Sequence, residues 1–275
     1  MLEAGMTLSA AGTTGSASGI QVTRGNDGIA RITLDRPEKY NTLSVAVMAA
    51  LKDEFDRIAV DRSVRVVVIA GQGKAFCAGH DLSELQSCPS REEAAALFAR
   101  CSDLMLTITR LPQPVIARVH GTCTAAGTQL VAACDLAVAA EAARFAVSGV
   151  NLGLFCSTPM VALSRNLPRK AAMELLLTGE FIDAAAALRL GLVNRVVADT
   201  QLDAATEALA LRIAGQSPAA VAFGKQLFYR QLEAGLEEAY RLATETMSRN
   251  LMAEDARAGI DAFIGKRPMP DWTGR

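Results

Sequence analysis

The sequence predicts an α/β fold, a series of strand–strand–helix units through about residue 200 followed by an almost wholly helical stretch to the C-terminus. Three observations predict it. Residues 65–70 (RVVVIA) and 114–119 (PVIARV) are short runs rich in β-branched residues, the pattern of strands buried on both faces. Each run leads into a glycine-bearing loop, and the strand–strand–helix rhythm recurs at a spacing of about 50 residues, the mark of stacked units. Beyond Gln201, apolar residues at helical spacing take over, including Leu227, Leu232, Leu236, Tyr240 and Leu242.

The elements follow in order. Residues 20–24 and 28–34 read as two strands around a turn at Asn26-Asp27-Gly28, and Asp35-Arg36-Pro37 breaks the second. Ser44 is placed to cap a helix through Val60, with Val47, Leu51, Phe55 and Ile58 on one face. A loop at 71–81 follows the first buried strand, then a helix over 91–110. A second loop at 121–127 leads into a short helix ending at Ala133. Residues 134–140 and 144–147 read as strands, 158–189 as short helices, and 194–197 as a last strand. A final helix over 253–266 is stopped by Pro268 and Pro270. Residues 1–19 read as a flexible tail, 20–200 as the core and 201–275 as a helical region.

Composition narrows the function classes. At 275 residues and 51% hydrophobic, the chain buries enough apolar surface to fold without a metal or a disulfide. The net charge of −1, with basic residues scattered, gives no footprint for nucleic acid or for a basic membrane anchor. No apolar run reaches the length of a membrane span. The first 19 residues lack the charged and apolar regions of a secretory signal, and with no Arg and one Glu they do not read as a mitochondrial presequence. Six cysteines occur without a C-x-x-C pair, and two histidines are the only nitrogen ligands to join them, so zinc spacing is absent. Reduced, buried thiols and a cytoplasmic location are expected.

Familiar catalytic loops fail. Gly71-Gln72-Gly73-Lys74 lacks the glycine spacing and the Ser/Thr of a phosphate loop, and no Ser sits in a G-x-S-x-G elbow. Two other loops stand out. Residues 75–82 (AFCAGHDL) follow RVVVIA, and residues 120–129 (HGTCTAAGTQ) follow PVIARV. Small residues there let a ligand approach the backbone, and a helix N-terminus offers unpaired N–H donors. Two such loops side by side can aim two N–H groups at one oxygen, the geometry of an oxyanion hole.

These segments resemble the crotonase, or enoyl-CoA hydratase/isomerase, family. The likeness runs from about Ile20 to Trp272 and is carried by LDRPEKYNTLS, AFCAGHDLSEL, VHGTCTAAGTQLVAACDLAVA, TGEFIDAAAALRLGLVNRVV and EDARAGIDAFIGKRPMPDW. The resemblance implies a spiral of ββα units with a C-terminal helical trimerisation region, assembled as a homotrimer or a dimer of trimers. It implies an acyl-CoA thioester as ligand, with coenzyme A part of the substrate and no separate cofactor. By position, the oxyanion-hole donors are the N–H groups of His80 and Ala126. For the His80 side chain, a locally satisfied ring and a polar role in the pocket both stay open, while His120 reads as a packing residue at a strand end. Lys39 and Tyr40 match the coenzyme A entrance. Ala78, Asp81 and Leu82 would border the adenine and pantetheine, and Ser148 and Gly149 are further substrate-binding positions. Phe263 and Lys266 match the pair that reaches a neighbouring subunit's coenzyme A.

The chain departs from the family pattern where hydration needs its acids. Gln129 and Gly149 occupy the positions of the two glutamates that hold water and move a proton, and neither can carry a proton at ordinary pH. Residues 148–158 hold no carboxylate for an isomerase either, only Ser148, Asn151, Cys156 and Ser157 as polar candidates. Cys156 as nucleophile would need a base that the sequence does not display. FCSTP and AAGTQ resemble one subgroup of the family whose chemistry the likeness does not fix. Two readings follow: an acyl-CoA enzyme by an atypical route, or an acyl-CoA binding or regulatory protein that has lost catalysis.

Overall fold

The computed structural model describes residues 18–275, so most of the stretch read as a tail lies outside the described residues. Two sheets form the frame. A six-stranded sheet runs in the order β1 (Ile20–Arg24), β2 (Ile29–Leu34), β3 (Val66–Gly71), β5 (Val115–Val119), β7 (Leu136–Ala140) and β10 (Arg195–Val197). All neighbours are parallel except β1 and β2. A four-stranded sheet runs β4 (Ala75–Cys77), β6 (Thr122–Thr124), β8 (Arg144–Ala146) and β9 (Ile182–Asp183). Each of three successive turns sends its first strand to the large sheet and its second to the small one, then closes with helix. This is the ββα spiral that the sequence rhythm predicts.

The short strands explain where the sequence misleads. β4 and β6 lie inside the segments read as loops, and α2 (Leu82–Gln86) inside the connection to the next helix. Three residues such as AFC or TCT are too few to display period-two alternation. Their strand character comes from pairing at long range, Ala75 with Thr122 and Thr122 with Arg144. The longer elements keep their expected bounds. Ser44 caps α1 (Val45–Val60), its hydroxyl accepting from the Val47 N–H, and α3 spans Arg91–Arg110.

β3 alternates between two cores. Val67 and Ile69 face the main core with Leu51, Phe55, Leu104 and Ile108. Val66 and Val68 face the other side, where α8 (Leu202–Ala214) lays Leu202, Leu209 and Ala210 against them. After α8 come α9 (Pro218–Leu232), α10 (Leu236–Leu251) and α11 (Glu254–Ile264). In the single chain these three expose Phe228, Leu232, Leu236, Tyr240, Phe263 and Ile264.

One buried network ties α9 to the spiral. Lys225 Nζ donates to the Ile108 and Gln113 carbonyls, both at 2.9 Å, and to Asp135 Oδ2 at 2.6 Å. Asp135 also accepts from the Val115 N–H at 2.7 Å and from the Tyr229 hydroxyl at 2.9 Å. Burial lowers the Lys225 pKa against the opposing pull of Asp135.

Candidate active site

The two loops picked out in the sequence meet at the junction of the sheets. α4 (Ala126–Ala133) starts at Ala126, and its preceding residue, Ala125, has φ 50° and ψ −120°. A non-glycine residue there is strained by about 1–3 kcal/mol and persists only where the surroundings over-determine it. The surroundings do so here. The Ala125 N–H donates to the Ala146 carbonyl at 3.0 Å, and the Thr128 hydroxyl donates to the same carbonyl at 2.8 Å. Among the described residues no backbone carbonyl accepts from the Ala126 N–H or from the His80 N–H. Ala126 is buried, and a buried N–H without a partner is rare.

The first loop comes against the second at Gly79. Its φ is +90°, and a Cβ built on it would lie 2.9 Å from Ala125 Cβ and 3.1 Å from the Ala126 nitrogen. Glycine is thus required twice, by conformation and by proximity. The loop is pinned from the other side. The Leu43 N–H donates to the Gly79 carbonyl at 2.7 Å, and the Ala78 N–H to the Tyr40 carbonyl at 3.0 Å. Tyr40 and Asn41 both have positive φ. Asn41 is buried and holds that turn, donating to the Gln72 and Ala75 carbonyls and accepting from the Arg36 N–H. Sequence reasoning passed over Asn41, although a buried amide with both its N–H donors engaged signals its position once the turn is seen.

Around this centre the expected residues divide. Lys39, Tyr40 and Leu82 are exposed, with Ala78 and Asp81 partly so, near the first loop. Asp81 caps α2, taking the Ser83 N–H at 3.1 Å and hydroxyl at 2.6 Å, and these bonds hold its carboxyl below the usual range. Ser148 Oγ lies 2.8 Å from Thr124 Oγ1, one residue before the strained Ala125. Phe263 and Lys266 lie at the end of α11, which packs on α9 and α10; both are exposed.

Gln129 is buried, its Oε1 accepting from Cys101 Sγ of α3 at 3.7 Å. Burial pushes the Cys101 thiol up to about 12, so it stays a neutral donor. Gly149 sits in a 3-10 turn, Ser148–Leu152, that folds back on itself. A Cβ there would fall against the Leu154 carbonyl oxygen and 2.7 Å from Cys156 Sγ. The position lacks a carboxylate and has no room for one until residues 154–156 move. Cys156 is buried and its thiol is pushed up, which removes the thiolate a nucleophile needs. His120 is a strand-end residue. Its Nε2 lies 2.9 Å from the Gly73 carbonyl, which only accepts, so Nδ1 is left to take the Arg118 N–H at 3.3 Å.

The His80 side chain resolves differently. Its ring stands edge-on to Phe98 of α3, and among the described residues neither buried ring nitrogen makes a hydrogen bond of normal geometry, with the Leu43 backbone nearby. It is not satisfied locally. A separate cavity of about 770 Å³ opens on the α8 side of the large sheet, lined by Arg31, Thr33, Gln72, Arg118, Asp203 and Glu207. Its two arginines are already paired, Arg118 with Asp203 and Arg31 with Glu207.

A double-sheet ββα spiral followed by C-terminal helices is the architecture of the crotonase class. Residues 24–275 match the Enoyl-CoA hydratase/isomerase family, and the chain belongs to that family. It is 46% identical over 265 residues to mitochondrial enoyl-CoA hydratase domain-containing protein 3 of Mus musculus, covering 96% of this chain and 88% of that protein. Among solved structures, an enoyl-CoA hydratase of Mycobacterium smegmatis superposes with a TM-score of 0.91 at 57% identity, over 92% of this chain and 98% of that one. The human enoyl Coenzyme A hydratase domain-containing protein 3 gives 0.88 at 44%, over 92% and 99%. This is the subgroup that FCSTP and AAGTQ resemble. The word mitochondrial belongs to the names of those relatives, and the cytoplasmic expectation gains no support from them. Among the described residues no helix is long and apolar enough to cross a membrane.

Proposed function

We propose that the chain binds an acyl-CoA thioester and holds its carbonyl oxygen between the N–H groups of His80 and Ala126. The observation that carries this reading is the unpaired Ala126 N–H, presented by a strained non-glycine turn and faced at contact distance by Gly79. Donors fixed in this way favour the negative charge that develops on a thioester oxygen when an enolate or tetrahedral species forms. Lys39, Tyr40, Ala78, Asp81 and Leu82 border the coenzyme A portion, and Ser148 and Gly149 the acyl end. Phe263 and Lys266 serve the site of a neighbouring subunit in a homotrimer or dimer of trimers, which the exposed apolar faces of α9 to α11 support. No cofactor beyond the coenzyme A of the substrate is needed, nor a nucleic-acid or membrane partner. The protein works in a reducing compartment, the cytoplasm.

Hydration by a pair of glutamates is not the reaction, because Gln129 carries no proton and position 149 has no room for a carboxylate. The same two residues favour a second reading, a binding protein without turnover. A panel of acyl-CoA esters separates the two. Both readings predict that a fitting ester raises the melting temperature. The enzyme reading adds turnover of at least one ester, abolished by Ala126→Pro with the fold retained by circular dichroism. Proline at 126 removes the N–H but also sets its ring against Gly79 and restricts Ala125, so the circular dichroism control is part of the test. A panel in which no ester raises the melting temperature sinks both readings.

A further inference from the structure

The ring of His80 is the least satisfied side chain among the described residues. Among the described residues neither Nδ1 nor Nε2, both buried, makes a hydrogen bond of normal geometry, although the Leu43 backbone lies near enough to favour the charged ring. A buried polar atom left unmet pays the desolvation penalty with nothing to offset it. Native structures carry such deficits where a ligand or water completes them, or where chemistry uses them. The ring's position adds a second observation. It packs against Phe98 with centroids 5.5 Å apart and planes at 79°, while Gln129, from the other loop, meets Cys101. Phe98 and Cys101 are three residues apart on α3 and so lie on one helical face. The two loops thus send one side chain each to the same strip of α3. Gln129 cannot carry a proton, and His80 can.

We propose that the His80 imidazole is the proton-carrying group of this site, taking the α-proton of the thioester whose carbonyl oxygen is held by its own N–H and that of Ala126. The inference rests on the oxyanion reading above and deepens it. In the step, the Cα–H bond breaks and its proton goes to the basic ring nitrogen. The electron pair becomes the Cα=C bond of the enolate, and the carbonyl π pair moves to the oxygen, facing the two N–H groups. Reprotonation at Cα from the imidazolium closes the cycle with no other reactant. Phe98 from α3 stands edge-on to the ring, and the Leu43 backbone, from the segment before α1, acts on it from its own side. The nearest acid in sequence, Asp81, is engaged by Ser83, with Arg36 at 3.7 Å. Burial pushes the His80 pKa below the ordinary histidine value, the Leu43 backbone working against it, so the neutral base prevails at pH 7.

The experiment follows hydrogen–deuterium exchange at Cα of butyryl-CoA in D₂O by NMR, with the full chain. The wild type exchanges. His80→Gln keeps both backbone N–H groups, so butyryl-CoA still raises its melting temperature while exchange falls by about 10²–10⁴-fold. His80→Asn is read in parallel, so that misfolding of one variant does not hide the answer. The wild-type rate declines as pH falls through a pKa lowered from the ordinary histidine value by burial, and the residual rate of the variants lacks that step. Free imidazole restores part of the exchange in His80→Ala. Wild-type exchange rates in both His80→Gln and His80→Asn overturn the proposal. So does a wild type that binds butyryl-CoA without exchanging it, an outcome that leaves the oxyanion reading standing. Absence of any melting-temperature rise brings down both.

Discussion

Replacing Gly79 by alanine is expected to abolish the effect of an acyl-CoA on the protein while leaving it folded. Two effects add. A residue with a Cβ at φ +90° is strained, by roughly 1–3 kcal/mol. The new methyl would also stand 3.1 Å from both the Ala126 nitrogen and the Thr124 carbonyl oxygen, so the loops must part to admit it. Parting them turns the His80 and Ala126 N–H groups away from a common oxygen. Loss of one such donor costs about 3–4 kcal/mol of transition-state stabilisation. Turnover of any ester accepted by the wild type should therefore fall by at least about 10²-fold. Differential scanning fluorimetry should show a melting temperature a few degrees lower and no longer responsive to ester. An undiminished response in Gly79→Ala would mean that the two loops do not share the ligand.

The second large effect is on stability and lies away from the loops. Lys225→Met removes an ammonium that bonds two carbonyls and Asp135. Asp135 then keeps only the Val115 N–H and the Tyr229 hydroxyl in a largely buried site. Breaking one side of a buried pair costs about 3–5 kcal/mol, because the surviving charge is left uncompensated. Chemical denaturation should show a loss of that size. Adding Asp135→Asn to Lys225→Met should recover part of it, since the orphaned charge is then gone. A loss under about 1 kcal/mol, the scale of an exposed pair, would contradict the account. The network also holds the end of α3, so it supports the helix face that Phe98 and Cys101 present to the site.

Legibility in the sequence followed range. Features set within a few residues were readable. The Ser44 cap, the limits of α3 and the two glycine loops all come from local chemistry. The small sheet was not readable, because β4 and β6 exist only through pairing with partners more than twenty residues away. Position 149 showed the absence of a carboxylate in sequence, but its lack of space depends on residues 154–156 folding back. The state of His80 was open for the same reason. Whether a ring nitrogen finds a partner is decided by what packs over it, and Phe98, from α3, offers none. Lys225 carries no local sign of burial, since its carboxylate lies 90 residues earlier in the chain.

The central claim is that a thioester carbonyl is polarised by two backbone donors. Isotope-edited infrared spectroscopy of bound butyryl-CoA, labelled with ¹³C at the carbonyl, tests it most directly. A stretch shifted to lower frequency than that of the free ester, with the shift retained in His80→Gln and lost in Gly79→Ala, is the predicted result. A bound ester whose carbonyl stretch equals that of the free ester in water would contradict it.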